Sequence, residues 1–131
     1  MRAGMRLTVL MEPIPKARAR TCVRGGVVRS FTPKATADAE AYIRSTVMGN
    51  KAFFAKGTPL KVNLAFYINK PPSVSKKRKY PITRPDIDNY TKLVLDALNR
   101  YLFEDDSQIV ELHATKAYGQ PRIEIDVEEI A

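Results

Sequence analysis

The run RPDIDNYTKLVLDALNRYLFEDDSQIV, Arg84 to Val110, collects six carboxylates in a chain of net charge +8. They are Asp86, Asp88, Asp96, Glu104, Asp105 and Asp106. Asp86 and Asp88 straddle the junction between a proline-rich loop and an expected helix. Arg84-Pro85 favours extended backbone ahead of them, and carboxylates two residues apart in such a segment point the same way. Asn89 follows, with an amide able to orient a carboxylate. Asp105 and Asp106 fall in a turn after the helix, just before a strand expected to lie beside the one at 59–69. Carboxylates brought together repel unless a cation sits among them. Oxygen donors without His or Cys select a hard ion, Mg2+ or Mn2+. Two such ions about 3.5–4 Å apart can activate a water and stabilise the leaving oxygen of a phosphodiester. Lys92, one helical turn beyond Asp88, can add positive charge at the scissile phosphate.

Taken singly, each carboxylate also has a local reason for its position. Aspartates at a helix start cap free N–H groups and meet the positive end of the dipole. Asp88, Lys92, Asp96 and Arg100 form an i, i+4 ladder of alternating sign, ordinary for an exposed helix face. Residue chemistry alone does not separate Asp105 from Asp106.

The charge is uneven. Residues 1–80 hold 17 Lys/Arg and 3 Asp/Glu, whereas residues 81–131 hold 5 and 11. A basic N-terminal part fits a polyanionic partner, most often nucleic acid. Lys16, Arg18 and Arg20 alternate in an extended loop, so they can point one way and track phosphates. Lys76, Lys77, Arg78 and Lys79 form a second basic run just ahead of the acidic site. One cysteine and one histidine, Cys22 and His113, exclude a disulfide framework and a Cys/His zinc cluster. No apolar run approaches the length that spans a bilayer, and the N-terminus lacks a signal peptide's cleavage site. A cytoplasmic location is the expectation.

At 131 residues the chain is expected to be one domain, 1–131. MRLTVLM reads as a strand. TCVRGGVVRSF reads as a hairpin about Gly25-Gly26. Thr32 is the expected cap of a helix with Pro33 in its first turn, an apolar face of Ala39, Tyr42, Ile43, Thr46 and Val47, and a stop at Gly49-Asn50. PLKVNLAFYIN alternates as a strand. The spacing predicts a helix over 86–102, striped by Ile87, Tyr90, Val94, Ala97, Leu98 and Tyr101. Strands at 108–119 and 122–130 follow, with Gly119-Gln120-Pro121 as an expected hairpin connection. The fold class is α/β: a single domain, a mixed β-sheet, and two main helices packed largely on one face.

RPDIDNYTKLVLDAL followed by FEDDSQIVELHATK resembles the RusA family of Holliday-junction resolvases. That family's core pattern is D-x-D-N, a lysine one turn on, D-A-L, and D-D-x-Q before a strand ending in lysine. EPIPKARAR and FTPKATADAEAYI resemble its phage-type members, and the resemblance covers most of the chain. It implies a homodimeric, Mg2+-dependent endonuclease that nicks four-way DNA junctions symmetrically, with Mn2+ as substitute. On that resemblance Asp86 and Asp88 match two metal ligands, Asp106 a third, and Lys92 a catalytic lysine. Asp96, Gln108 and Lys116 match recurrent positions, and Arg84 and Lys116 join the expected DNA contacts. The chain departs from the pattern at Pro85, where the family has a basic residue, with Arg84 one step earlier.

Two other functions remain open from the residues: a non-catalytic nucleic-acid-binding module, and a nuclease for flaps or RNA. Phe53, Phe54 and Tyr80 could stack in a junction centre, but core or dimer packing is expected of them. Leu95, off the main helical stripe, is a cue to a dimer contact. His113 is expected to be structural.

Overall fold

The computed structural model describes residues 4–17, 20–49 and 53–130. Its elements are β1 (Gly4–Val9), β2 (Arg20–Arg24), β3 (Val27–Phe31), α1 (Lys34–Met48), β4 (Leu60–Ile68), α2 (Ile87–Leu98), a 3-10 turn (Asp106–Gln108), β5 (Ile109–Tyr118) and β6 (Arg122–Glu129). Four strands form one sheet in the order β1-β6-β4-β5, and β2-β3 is a separate hairpin. β4 pairs with β5 in parallel and with β6 antiparallel, so the sheet is mixed.

Alternation builds the sheet's two faces. Leu60, Val62, Leu64 and Phe66 of β4, Ile123, Ile125 and Val127 of β6, and Met5, Leu7 and Val9 of β1 are buried. Ala39, Ile43 and Val47 of α1 and Tyr90, Leu93, Val94, Ala97 and Leu98 of α2 complete that core. Phe66 and Tyr90 stack at 5.2 Å between sheet and helix. The other face carries Arg6, Thr8, Asn63, His113, Glu124 and Asp126 around a concavity of about 460 Å3. Its polar groups are paired, Arg6 with Asp126 across β1 and β6 at 3.3 Å and His113 with Glu111 along β5 at 3.2 Å. A mixed sheet with both helices on one face is what the sequence predicts. Among the described residues no helix is long and apolar enough to cross a membrane.

Several local expectations shift. Pro33, not Thr32, is the N-cap of α1, and no side chain caps it. Tyr42 is 47% exposed, while Thr36 and Glu40 are buried on that helix instead. Helix α2 ends at Leu98 because Arg100 turns left-handed at φ 70. Leu102 and Phe103 then fold back into the core, with the Phe54 N–H donating to the Leu102 carbonyl at 2.8 Å. Tyr101 thus leaves the apolar stripe and lies beneath the Arg44 guanidinium, 4.7 Å from its ring centroid. Gly25 and Gly26, at φ 56 and 80, supply the left-handed pair that a two-residue hairpin turn requires.

The largest correction concerns residues 119–121. They do not join hairpin partners, because β4 lies between β5 and β6. The connection arches over the end of β4, where the Gly119 N–H donates to the Ile68 carbonyl at 2.9 Å. A Cβ at Gly119 would sit 3.0 Å from the Tyr67 ring, so this crossing favours glycine. Arg122 then covers that ring at 3.7 Å.

Phe66 is fully enclosed between β4 and α2. Phe66→Ala is expected to lower the unfolding free energy by about 3–5 kcal/mol, read from the shift of a urea-unfolding midpoint.

Candidate active site between α2 and β5

Parallel pairing of β4 and β5 requires a crossover, and α2 is its helix. Both loops flanking α2 carry carboxylates. At the first, Asp86 is the N-cap residue with extended backbone, and its carbonyl accepts the Asn89 N–H at 3.2 Å. Its side chain makes no cap hydrogen bond, so the capping role open to it in the sequence is not used. Asp88 lies exposed in the first turn. The turn ahead of them is held by Lys116 of β5, whose ammonium donates to the Thr83 and Pro85 carbonyls, each at 3.1 Å. Burial and, second, the nearby Glu12 carboxylate push the Tyr90 hydroxyl above the usual tyrosine range, keeping it protonated beneath this turn.

At the second loop the two neighbouring aspartates divide their work. The Asp105 side chain caps the 3-10 turn, and its backbone N–H donates to Gln108 Oε1 at 3.0 Å, closing a capping box. The Ser107 hydroxyl also donates to Asp105. That hydroxyl bond first, and backbone N–H groups after it, hold the Asp105 carboxyl below its ordinary value. Asp106 is oriented differently: its N–H donates to Asn99 Oδ1 at 3.1 Å, and its side chain faces the groove between α2 and β5. Gln108 Nε2 ties the turn to the Ala55 and Thr58 carbonyls at 2.9 and 3.0 Å.

The groove, about 410 Å3, is lined by Asp88, Lys92, Leu95 and Asp96 on the helix side and by Asp106, Leu112 and Ala114 opposite. Lys92 pairs with Asp96 at 3.7 Å, which realises one rung of the expected ladder. Asp88 and Asp106 line the same groove from opposite ends. Asp106 is tied to Asn99, and the helical rise from Asp88 to Asn99 is about 16 Å. Asp86 lies outside the lining. Among the described residues no three His, Cys, Asp or Glu side chains gather closely enough to hold a metal ion. The donor chemistry nonetheless suits a hard cation. Asp86, Asp88 and Asp106 are exposed oxygen donors, and none is in an ion pair among the described residues.

The expected DNA-contacting cations separate into groups. Lys76, Lys77, Lys79 and Arg84 are exposed, and Arg78 is half-buried. Lys116 is committed to the loop carbonyls described above. Lys16 does not point outward: its ammonium meets both Glu40 oxygens at 3.2 Å and Asp96 at 3.2 Å. A buried carboxylate needs a partner, and Lys16 is the nearest cation to Glu40. Arg18 and the Arg20 side chain lie outside the described residues. Phe54 is core, as expected, but Phe53 and Tyr80 are exposed. Leu95 packs partly against the chain's own core.

Residue reasoning passed over Glu40 and Asn99. Glu40 shares a helical stripe with Thr36, Ile43 and Val47, so periodicity alone places it on the buried face. Asn99 carries no comparable signal, because its partner is a backbone N–H seven residues away.

Comparison of the sequence with known proteins finds relatives. Residues 11–128 match the family model described as endodeoxyribonuclease RusA. The uncharacterized protein YqaN of Bacillus subtilis (strain 168) is 31% identical over 138 residues, covering 97% of each chain. The crossover junction endodeoxyribonuclease rusA of Lactococcus phage r1t is 33% identical over 95 residues, 67% of this chain and 70% of that one.

Lys16→Met leaves the buried Glu40 carboxylate without its main partner. It is expected to cost about 3 kcal/mol of stability in urea unfolding, with a smaller loss in the Lys16→Met, Glu40→Gln double variant. Asp105, whose folded pKa is depressed, contributes stability that is complete above its unfolded value of about 3.9. That contribution is lost as pH falls through the lower folded pKa. The Ser107 amide NMR signal is expected to titrate with a midpoint below about 3.9, and Asp105→Asn to abolish the step.

Proposed function

Because the chain belongs to the RusA family of endodeoxyribonucleases, enzymes that hydrolyse DNA, we propose that it resolves four-way junctions with the α2–β5 groove as its active site. The observation that carries this reading is the placement of three carboxylates without ion pairs among the described residues at the two ends of one crossover helix, Asp86 and Asp88 at its start and Asp106 beyond its end, with Lys92 between them. The name of the phage r1t relative, a crossover junction endodeoxyribonuclease, supports the choice of substrate.

Mg2+, with Mn2+ as substitute, would be held by Asp86 and Asp88 at the start of α2 and by Asp106 at the other end of the groove, as separate ions and not one shared by all three. When bound, the cation supplies Lewis-acid activation of a water and of the phosphodiester. The chain's own residues do the rest. Lys92 presents positive charge in the groove, where it offsets the charge that develops on the phosphate oxygens. Asp96, anchored by Lys16, holds that ammonium on the groove side. Lys116 fixes the turn that leads into Asp86, and Asn99 and Gln108 fix the turn that carries Asp106. Lys76, Lys77, Lys79 and Arg84 draw the phosphate backbone toward a site its carboxylates would otherwise repel. A homodimer would offer two such sites to a two-fold junction, giving paired symmetric nicks.

The test is cleavage of a synthetic four-way junction against duplex and flap DNA. Wild type is expected to nick the junction in Mg2+ or Mn2+ and to stop on chelation with EDTA. Asp88→Asn and Asp106→Asn are each expected to lose at least about 100-fold in rate while still binding the junction. Lys92→Ala is expected to lose about 100-fold. Equal rates for wild type and Asp88→Asn would refute the assignment. Metal-indifferent, salt-sensitive binding with no nicking would mark a binding module instead. Light scattering of the full chain is expected to give twice the monomer mass.

A further inference from the structure

The loop between β4 and α2 displays two large apolar side chains to solvent. Tyr80 is 67% exposed and Ile82 is 76% exposed. Pro81 between them is buried. Pro81 is thus the inward anchor of this stretch and its two neighbours are left exposed on either side of it.

That anchoring is extensive. The Lys70 ammonium donates to the Arg78 carbonyl at 2.7 Å, just before Tyr80. Lys116 donates to the Thr83 and Pro85 carbonyls just after Ile82. Smaller turns, Val74 N–H to Pro71 and Arg78 N–H to Ser75, both at 3.0 Å, stiffen the rest. Between Lys70 and Pro85 the chain has six cations and no Asp or Glu. An apolar pair on a pinned loop, set among cations, matches an occupant that is both negatively charged and able to offer apolar faces. Unstacked nucleotides have that chemistry: phosphates for the lysines and exposed base faces for a tyrosine ring and an isoleucine. Intact duplex offers phosphates but keeps its base faces covered. The same loop runs directly into Asp86, so a base held at Tyr80 lies near the backbone to be cut.

Resting on the function proposed above, we infer that Tyr80 and Ile82 form a wedge that takes unstacked bases at the branch point. In this role they are specificity residues. They select branched over continuous DNA, while Lys76, Lys77 and Lys79 bind phosphates on either substrate.

The experiment places 2-aminopurine at the crossing of a four-way junction and follows its fluorescence as the full-length protein is added in EDTA. Wild type is expected to brighten the probe severalfold. Tyr80→Ala, Ile82→Ser is expected to bind the junction in gel shifts yet lose most of the brightening. In Mg2+ its junction-over-duplex cleavage ratio is expected to fall about 10-fold, the scale of one lost base–aromatic stack. Tyr80→Phe, which keeps the ring, is expected to behave as wild type. A double variant with wild-type brightening and ratio overturns the wedge. So does one that falls apart into monomers, which would make the pair a contact between copies. Wild type that cuts junctions without brightening the probe overturns the wedge and leaves the resolvase reading standing. Wild type that neither binds nor cuts junctions overturns both.

Discussion

Parallel pairing of β4 with β5 governs the rest of the molecule. Two parallel neighbours cannot be joined by a tight turn, so the chain must leave the sheet, cross its face and return. That crossover is α2 with its two loops. Its buried stripe, Tyr90, Leu93, Val94, Ala97 and Leu98, holds it on the sheet. Its outer side, facing β5, forms the wall of the groove. One crossover therefore fixes the relative positions of Asp86, Asp88, Lys92 and Asp106, although 20 positions separate the first from the last.

Polar ties at both ends of the groove make the loops as definite as the helix. Lys116 reaches from β5 to the backbone ahead of Asp86. Asn99 and Gln108 hold the backbone around Asp106. A third tie lies beneath the helix, where Lys16 joins Glu40 of α1 to Asp96 of α2, and the Lys16 N–H donates to the Asn89 carbonyl at 3.0 Å. The carboxylates at the groove face solvent, whereas Glu40 inside is neutralised by a cation. Under the function proposed above, this division suits a site that receives both a cation and a phosphate from outside.

Basic and acidic halves of the sequence meet across this framework. The exposed lysines of the loop at 70–85 precede the carboxylates directly in the chain. Under the function proposed above, attraction of a polyanion and tolerance of it at the cutting site would depend on neighbouring segments of one loop–helix unit. Arg6, His113, Glu124 and Asp126, on the opposite sheet face, take no part in this arrangement, and most pair with one another or with strand neighbours.

The sequence by itself determined whatever rests on local periodicity and chemistry. Alternation in PLKVNLAFYIN marked β4, the 3.6-residue stripe marked α2, and Gly25-Gly26 marked a hairpin turn. The carboxylate pattern picked out Asp88, Lys92 and Asp106, which line one groove in the folded chain. Only the tertiary structure decided matters of partnership. β4 enters between β5 and β6 because each of its edges needs a hydrogen-bonding neighbour, a demand invisible in the turn-like Gly119-Gln120-Pro121. Lys16 and Lys116 look like phosphate binders in one dimension, but folding brings each against acceptors at least 24 positions away. Asp105 and Asp106 are chemically identical neighbours. A capping box consumes the first and an asparagine's amide turns the second toward the groove, because only the folded chain supplies the different hydrogen-bond partners that tell them apart.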